Sequence, residues 1–120
     1  MNRWVLLEHR VYSHNSEDIH YDFLVEDVLD CLTWKFLEIP LLDKDDVGIV
    51  RQPNHRLVWL SRSEYELSRN RGLVKRLDHG TFIKSYIKSD FKEIRLILDG
   101  QILNGLFEIS GNFCRLNKNN

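Results

Sequence analysis

The sequence predicts an all-β fold, a small closed β-barrel with at most one or two short helical turns. Short runs rich in apolar, aromatic and β-branched residues recur along the whole chain, and such runs are typical of strands. Turn-forming residues separate the runs, and helical periodicity is weak throughout. Many short strands with regular turns favour a barrel or a sandwich. A barrel has the advantage that it leaves no sheet edge open.

The strand pattern places the elements in order along the chain. The runs predicted as strands are Trp4–Glu8, Ile19–Glu26, Cys31–Leu37, Leu57–Leu60, Leu73–Leu77, Thr81–Ile87, Glu93–Leu98, Leu106–Ser110 and Phe113–Leu116. The turn signals between them are Glu26-Asp27, Asp78-His79-Gly80, Asp99-Gly100 and Ser110-Gly111-Asn112. Asp99-Gly100 between two apolar runs is a strong hairpin signal. Short helical turns are predicted within Leu41–Val50 and Ser61–Arg69.

Length and composition indicate one ordinary globular domain over residues 1–120. Hydrophobic residues make up 42% and charged residues 29% of the 120 residues, as is usual for a soluble domain of this size. The formal net charge is −1, whereas a generic binder of polyanions is usually basic. Any contact with nucleic acid must therefore come from a local patch.

The cysteines and the apolar runs bear on the cellular location. Cys31 and Cys114 are far apart and lie outside any CxxC pattern, so we expect two reduced thiols in the core. The apolar run after Trp4 is broken by Glu8 and is too short for a signal peptide or a membrane span. These features predict a cytoplasmic protein with no membrane partner.

The pattern that carries chemistry is the run His20-Tyr21-Asp22-Phe23. In a strand, His20 and Asp22 point to the same side, and His9 at the end of the first predicted strand could join them. Two imidazoles and one carboxylate suit Mn²⁺, Zn²⁺ or Fe²⁺ and leave coordination positions open. The absence of nearby cysteines disfavours a structural zinc site. His55 would remain off the metal and contact a substrate oxyanion.

A second candidate feature is the basic segment from Ser61 to Leu77. It holds five basic and two acidic residues, and arginine clusters bind phosphates through bidentate hydrogen bonds. A solvated loop of mixed charge is the alternative interpretation. Trp59, four residues after His55, is the tryptophan that could line a site, whereas Trp4 and Trp34 are expected in the core.

Taken together, these residues resemble the 3′-phosphoesterase domain of bacterial DNA ligase D and its short stand-alone relatives. The matching segments, in order over nearly the whole chain, are Trp4–His9, His20–Glu26, Thr33-Trp34, Asn54-His55, Leu73–Thr81 and Leu98–Phe107. The His-Tyr-Asp-Phe strand is the most specific of them. The closing hairpin is not specific by itself.

The resemblance implies a β-barrel that binds a divalent metal, preferably Mn²⁺. It implies removal of a 3′-phosphate or a terminal ribonucleotide from nucleic-acid 3′ ends in DNA repair, with a ligase or polymerase as a possible partner in trans. The implied metal ligands are His9, His20 and Asp22, with His55 as the phosphate contact. The catalytic set is then His55, His20 and Asp22. The implied nucleic-acid contacts are His55, Arg56, Arg69, Arg71 and Arg76.

The chain departs from the family pattern at three places. Leu24 stands where ligase-fused members usually carry arginine, and Trp59 stands where they carry tyrosine. His9 and His20 are eleven residues apart where the family usually has six, and His14 has that six-residue spacing. We favour His9 because it keeps the strand register, and His14 is the alternative ligand. Leu24 and Trp59 also leave open a binding barrel that has lost turnover, and the near-neutral charge leaves open an interaction barrel without metal or nucleic acid.

Overall fold

The computed structural model describes residues 2–13, 15–67 and 72–119. In this part of the chain there are nine β-strands and one short 3₁₀-helix. The strands, numbered in chain order, are β1 Arg3–Ser13, β2 Ser16–Glu26, β3 Cys31–Phe36, β4 Val47–His55, β5 Glu64–Glu66, β6 Leu73–Ile87, β7 Glu93–Asp99, β8 Asn104–Ser110 and β9 Phe113–Asn117. The 3₁₀-helix spans Leu57–Leu60. The predicted all-β class is confirmed.

Eight of the described strands form a ring. Their order is β1-β2-β3-β4-β9-β8-β7-β6, and β6 pairs back onto β1. All of these strand pairings are antiparallel. β5 lies outside the ring and pairs with the first part of β6. Because the ring returns on itself, its strands leave few unpaired backbone groups along their edges.

The ring encloses the main core. Phe23 lies at its centre, with ring centroids 4.8 Å from Phe107, 5.5 Å from Phe36 and 5.9 Å from Trp4. Alternate residues of each strand point into this core, as the period of 2 requires. In β2 the inward residues are Tyr21, Phe23 and Val25, so His20 and Asp22 share the opposite face, as predicted.

A second, smaller apolar cluster lies on the outer face of the sheet that contains β1, β2 and β3. We call it the outer cluster. It consists of Val5, Leu7, Leu24, Cys31, Leu60 and Val74, with Leu57, Trp59 and Leu67 packed against it. The 3₁₀-helix and the segment after it therefore cover this part of the outer face and exclude water from it.

Three predicted elements differ from the structure. Leu57–Leu60 is the 3₁₀-helix rather than a strand, because its leucines pack on the outer cluster instead of joining the sheet. Val47–His55, part of which was expected to be helical, is strand β4. Ser61–Arg69 contains strand β5 rather than a helical turn, and residues 68 and 69 lie outside the described residues.

The predicted turn at Asp78-His79-Gly80 was also wrong, because β6 runs through it without a break. The residues up to Thr81 pair with β1, and those from Phe82 onward pair with β7. The strand therefore changes its pairing partner from β1 to β7 between Thr81 and Phe82. Gly80 is required there, since a Cβ would lie 2.1 Å from Oδ1 of Asp99.

Asp78 is a buried carboxylate that holds the hairpin between β7 and β8. It is 4% exposed. Its oxygens accept hydrogen bonds from the backbone N–H groups of Gln101, Ile102 and Leu103 at 2.8–3.0 Å, and from that of His79 at 3.0 Å. The hairpin predicted from Asp99-Gly100 is present. Its conformation depends on a carboxylate from a different strand.

Both cysteines are free and buried, which confirms the expectation of reduced core thiols. Burial raises the pKa of the Cys31 thiol to about 11 and that of Cys114 to about 12. The reactive species is the thiolate. We therefore expect neither thiol to react with Ellman's reagent in the native protein at neutral pH, and both to react in guanidinium chloride. Fast reaction of either thiol in the native protein would contradict its placement.

Among the described residues, no helix is long and apolar enough to cross a lipid bilayer.

Candidate functional site

The two histidines predicted as ligands face each other across β1 and β2. His9 pairs directly with His20 in the antiparallel register. Nδ1 of His9 lies 3.2 Å from Nε2 of His20, and the two ring centroids are 4.6 Å apart. Both rings are half-buried. The long hairpin therefore brings together two side chains that are eleven residues apart in sequence.

Asp22 joins the histidines because it lies two residues after His20 on the same face of β2. Its Oδ2 atom is 3.5 Å from Nε2 of His20. One possible ligand atom from each of the three residues lies within 4.8 Å of the others. Asp22 is itself buried, at 7% exposure.

Two of the three donor spacings are compatible with a shared divalent cation. Nitrogen and oxygen ligands lie roughly 2.1 Å from such an ion, so two of them are about 3.0 Å apart at a right angle and about 3.4 Å apart at the tetrahedral angle. The spacings here, 3.2 Å and 3.5 Å, are close to those values. Two imidazoles and one carboxylate are also a common donor set for catalytic metals.

The surroundings of His20 favour the neutral form of its ring. Burial of the ring lowers the pKa of His20 below its usual value, and the charges of His9 and Lys35 lower it further. The carboxylate of Asp22 acts in the opposite direction. At neutral pH the His20 ring is therefore neutral, which is the form that binds a metal.

The cluster borders a cleft of about 190 Å³ on the outer face. The cleft is lined by His9, Asp22, His55, Trp59, Leu7, Leu67 and Val74. Its apolar wall belongs to the outer cluster, and the 3₁₀-helix carries Trp59 into the wall. His20 faces a neighbouring depression that also contains Lys35. The three possible ligands thus lie where two depressions meet.

His55 is the last residue of β4. Its Nδ1 atom lies 3.1 Å from the carbonyl oxygen of Pro53. Because a carbonyl only accepts hydrogen bonds, Nδ1 carries the hydrogen, and Nε2 is the nitrogen left for another partner. When the ring is protonated, Nε2 becomes a donor that can bind a phosphate oxygen.

The other predicted contacts lie away from the cleft or outside the described residues. The Arg56 side chain is exposed and does not line the cleft. Arg76 borders a different depression, next to Asp78 and His79. His14, Arg69 and Arg71 lie outside the described residues. Their predicted roles, like the metal-binding and catalytic roles of the residues that do converge, stay predictions.

One basic residue near the site, Lys35, was missed as a candidate, and Arg62 was included only as a member of the basic segment Ser61–Leu77. Lys35 pairs with Asp22 across β2 and β3, and alternation along β3 could have placed it on the outer face. Arg62 packs against Trp59, which lines the cleft. No sequence signal distinguishes Arg62 from the other arginines of its segment, because its position depends on how the chain folds over the outer cluster.

No known protein family model matches the chain, and no curated protein matches it significantly.

Proposed function

We propose that this protein is a cytoplasmic, metal-dependent phosphoesterase that processes nucleic-acid 3′ ends by removing a 3′-phosphate or a terminal ribonucleotide. The observation that carries the proposal is the convergence of His9, His20 and Asp22 beside a cleft that His55 also lines. The resemblance to the 3′-phosphoesterase domain of DNA ligase D supports the choice of substrate.

His9, His20 and Asp22 would hold the divalent cation, with Mn²⁺ as the preferred ion. A bound divalent cation polarises a phosphoryl oxygen and lowers the pKa of a bound water. The two imidazoles and one carboxylate leave positions for substrate and water. The buried position of Asp22 keeps its charge close to the ion rather than screened by solvent.

The remaining residues of the site bind and orient the phosphate. His55 would present Nε2 to a phosphate oxygen, since its Nδ1–H is directed at the carbonyl of Pro53. Lys35 adds positive charge on the side of His20. Leu7, Leu67 and Val74 form an apolar wall, which strengthens charge–charge interactions inside the cleft because it excludes water.

The test is a 3′-end processing assay. The substrates are a primer–template with a 3′-phosphate and one with a single terminal ribonucleotide, each with and without Mn²⁺. We expect product only with Mn²⁺, and we expect the Asp22→Ala variant to give none. Absence of product from the wild-type protein with Mn²⁺ bound would contradict the proposed activity on these ends.

A second candidate function is a metal- and nucleic-acid-binding module that has lost turnover. The specific observation is Leu24, which is fully buried in the outer cluster and so provides no charged group to the cleft. Trp59 can donate only through its indole N–H. Loss of one charge-stabilising donor typically lowers a rate by about 10²–10³. Bound Mn²⁺ and bound DNA without product would favour this candidate.

A further inference from the structure

Arg62 packs against two aromatic rings next to the cleft. Its guanidinium carbon lies 4.0 Å from the ring centroid of Tyr65 and 4.5 Å from that of Trp59. The two rings meet edge to face, with centroids 5.4 Å apart. Arginine stacked on aromatic faces loses mobility, while the N–H groups at the edge of its plane remain able to bind other groups.

The strand register places this stack on the same face as the metal-binding candidates. His20 pairs with His9, His9 pairs with Val74, and Val74 pairs with Tyr65. Directly paired residues in antiparallel strands point to the same side. Two strand spacings, about 10 Å, therefore separate the backbone of His9 from that of Tyr65. Trp59, the other ring of the stack, lines the cleft itself.

Arg62 has no acidic partner among the described residues. Three other arginines of the described chain do have one: Arg3 binds Glu26, Arg10 binds Glu8 and Glu17, and Arg115 binds Asp46. The nearest acids in sequence, Glu64 and Glu66, alternate with Tyr65 along β5, so they point to the opposite side of that strand. The guanidinium charge near the cleft is therefore not neutralised by its own segment.

We propose that Arg62 binds a backbone phosphate of the nucleic-acid strand whose 3′ end enters the cleft. The identification of the ligand as nucleic acid rests on the proposed function. A planar guanidinium binds phosphate oxygens with two parallel N–H groups, and the contacts with Trp59 and Tyr65 hold the Arg62 guanidinium beside the cleft. Arg62 thereby supplies a fixed phosphate contact at the rim, outside the metal cluster, in a chain whose net charge is only −1.

The test is DNA binding measured by fluorescence anisotropy over a range of NaCl concentrations, in EDTA so that no metal contributes. The probe is a 5′-fluorescein primer–template with a 3′-phosphate. We expect Arg62→Gln to weaken binding about tenfold and to reduce the slope of log K against log salt by about one. Arg62→Lys keeps the charge, so it should retain the slope while binding more weakly than the wild type.

Arg95→Gln is the matched control. Arg95 also lies over a tyrosine ring, with its guanidinium carbon 4.7 Å from the Tyr86 centroid, but it belongs to β7, which pairs with β6 and β8 away from the cleft. We expect the Arg95→Gln variant to bind the DNA probe with the affinity of the wild type. Equal loss of affinity in both variants would show a nonspecific charge effect and overturn the proposal.

Separate measurements distinguish the failure of this proposal from that of the proposed function. Mn²⁺ affinity, measured by calorimetry, should be the same in Arg62→Gln and in the wild type, because Arg62 lies outside the ligand cluster. Unchanged DNA affinity in Arg62→Gln overturns the role of Arg62, even if the wild type cleaves the substrate. A reduced salt slope in a protein without turnover supports Arg62 and contradicts only the enzymatic function. Failure of the wild type to bind the probe overturns the Arg62 proposal.

Discussion

Replacing Asp22 by alanine is expected to lower the affinity for Mn²⁺ by about 100-fold or more, since loss of groups that merely orient metal ligands already costs about 10–100-fold. Asp22 is the only carboxylate in the described cluster with His9 and His20. The variant should still fold, because the carboxylate takes part in neither apolar cluster. Isothermal titration with Mn²⁺ measures the affinity, and urea denaturation measures the free energy of unfolding.

The control is Asp45→Ala, which removes an exposed carboxylate from the segment before β4. It should bind Mn²⁺ as the wild type does. An Asp22→Ala variant with unchanged Mn²⁺ affinity would show that the ion binds elsewhere, and the site assignment would then be wrong. A wild-type protein that binds no Mn²⁺ would contradict the metal site altogether, whatever the variant does.

Replacing Asp78 by alanine is expected to lower the free energy of unfolding by about 3–5 kcal/mol. The substitution leaves the N–H groups of Gln101, Ile102 and Leu103 without their acceptor, and Leu103 is itself fully buried. A destabilisation of this size lowers the melting temperature of a domain of this length by about 10 °C or more. Thermal unfolding followed by circular dichroism measures the shift.

Asp90→Ala is the comparison variant. The Asp90 carboxylate is exposed and accepts one backbone hydrogen bond, from Lys92. Its removal should lower the free energy of unfolding far less than removal of Asp78, because water can replace the interactions of an exposed carboxylate. If the two variants unfold at the same temperature, the network around Asp78 does not stabilise the hairpin as its geometry indicates.

The sequence alone predicts the part of the candidate site that lies on a single strand, β2. Alternation along β2 places His20 and Asp22 on one face, and the apolar residues between them fix which face that is. The partnership with His9 needed the register of the hairpin, which is set by the pairing of Leu6 with Phe23 and Leu7 with Asp22. A slip of one residue would have sent His9 to the other face.

Elements that depend on contacts between distant segments were not predictable in the same way. Leu57–Leu60 has the composition of a strand, yet it forms a 3₁₀-helix because its apolar side chains fill the outer cluster. The Asp78-His79-Gly80 sequence has the composition of a turn, yet it lies inside β6. There the Asp78 carboxylate accepts hydrogen bonds from the backbone of a loop more than twenty residues later in the chain.

The sequence by itself determined the all-β class and the shared face of His20 and Asp22, because both follow from local alternation of side chains. Only the tertiary structure decided that His9 lies opposite His20, that His55 and Trp59 line the same cleft, and that Arg62 is stacked beside it. These contacts join segments that are distant in sequence, and the secondary-structure propensity of each segment does not show that they meet. Strand register and the burial of the outer cluster set them, and both are properties of the folded chain as a whole.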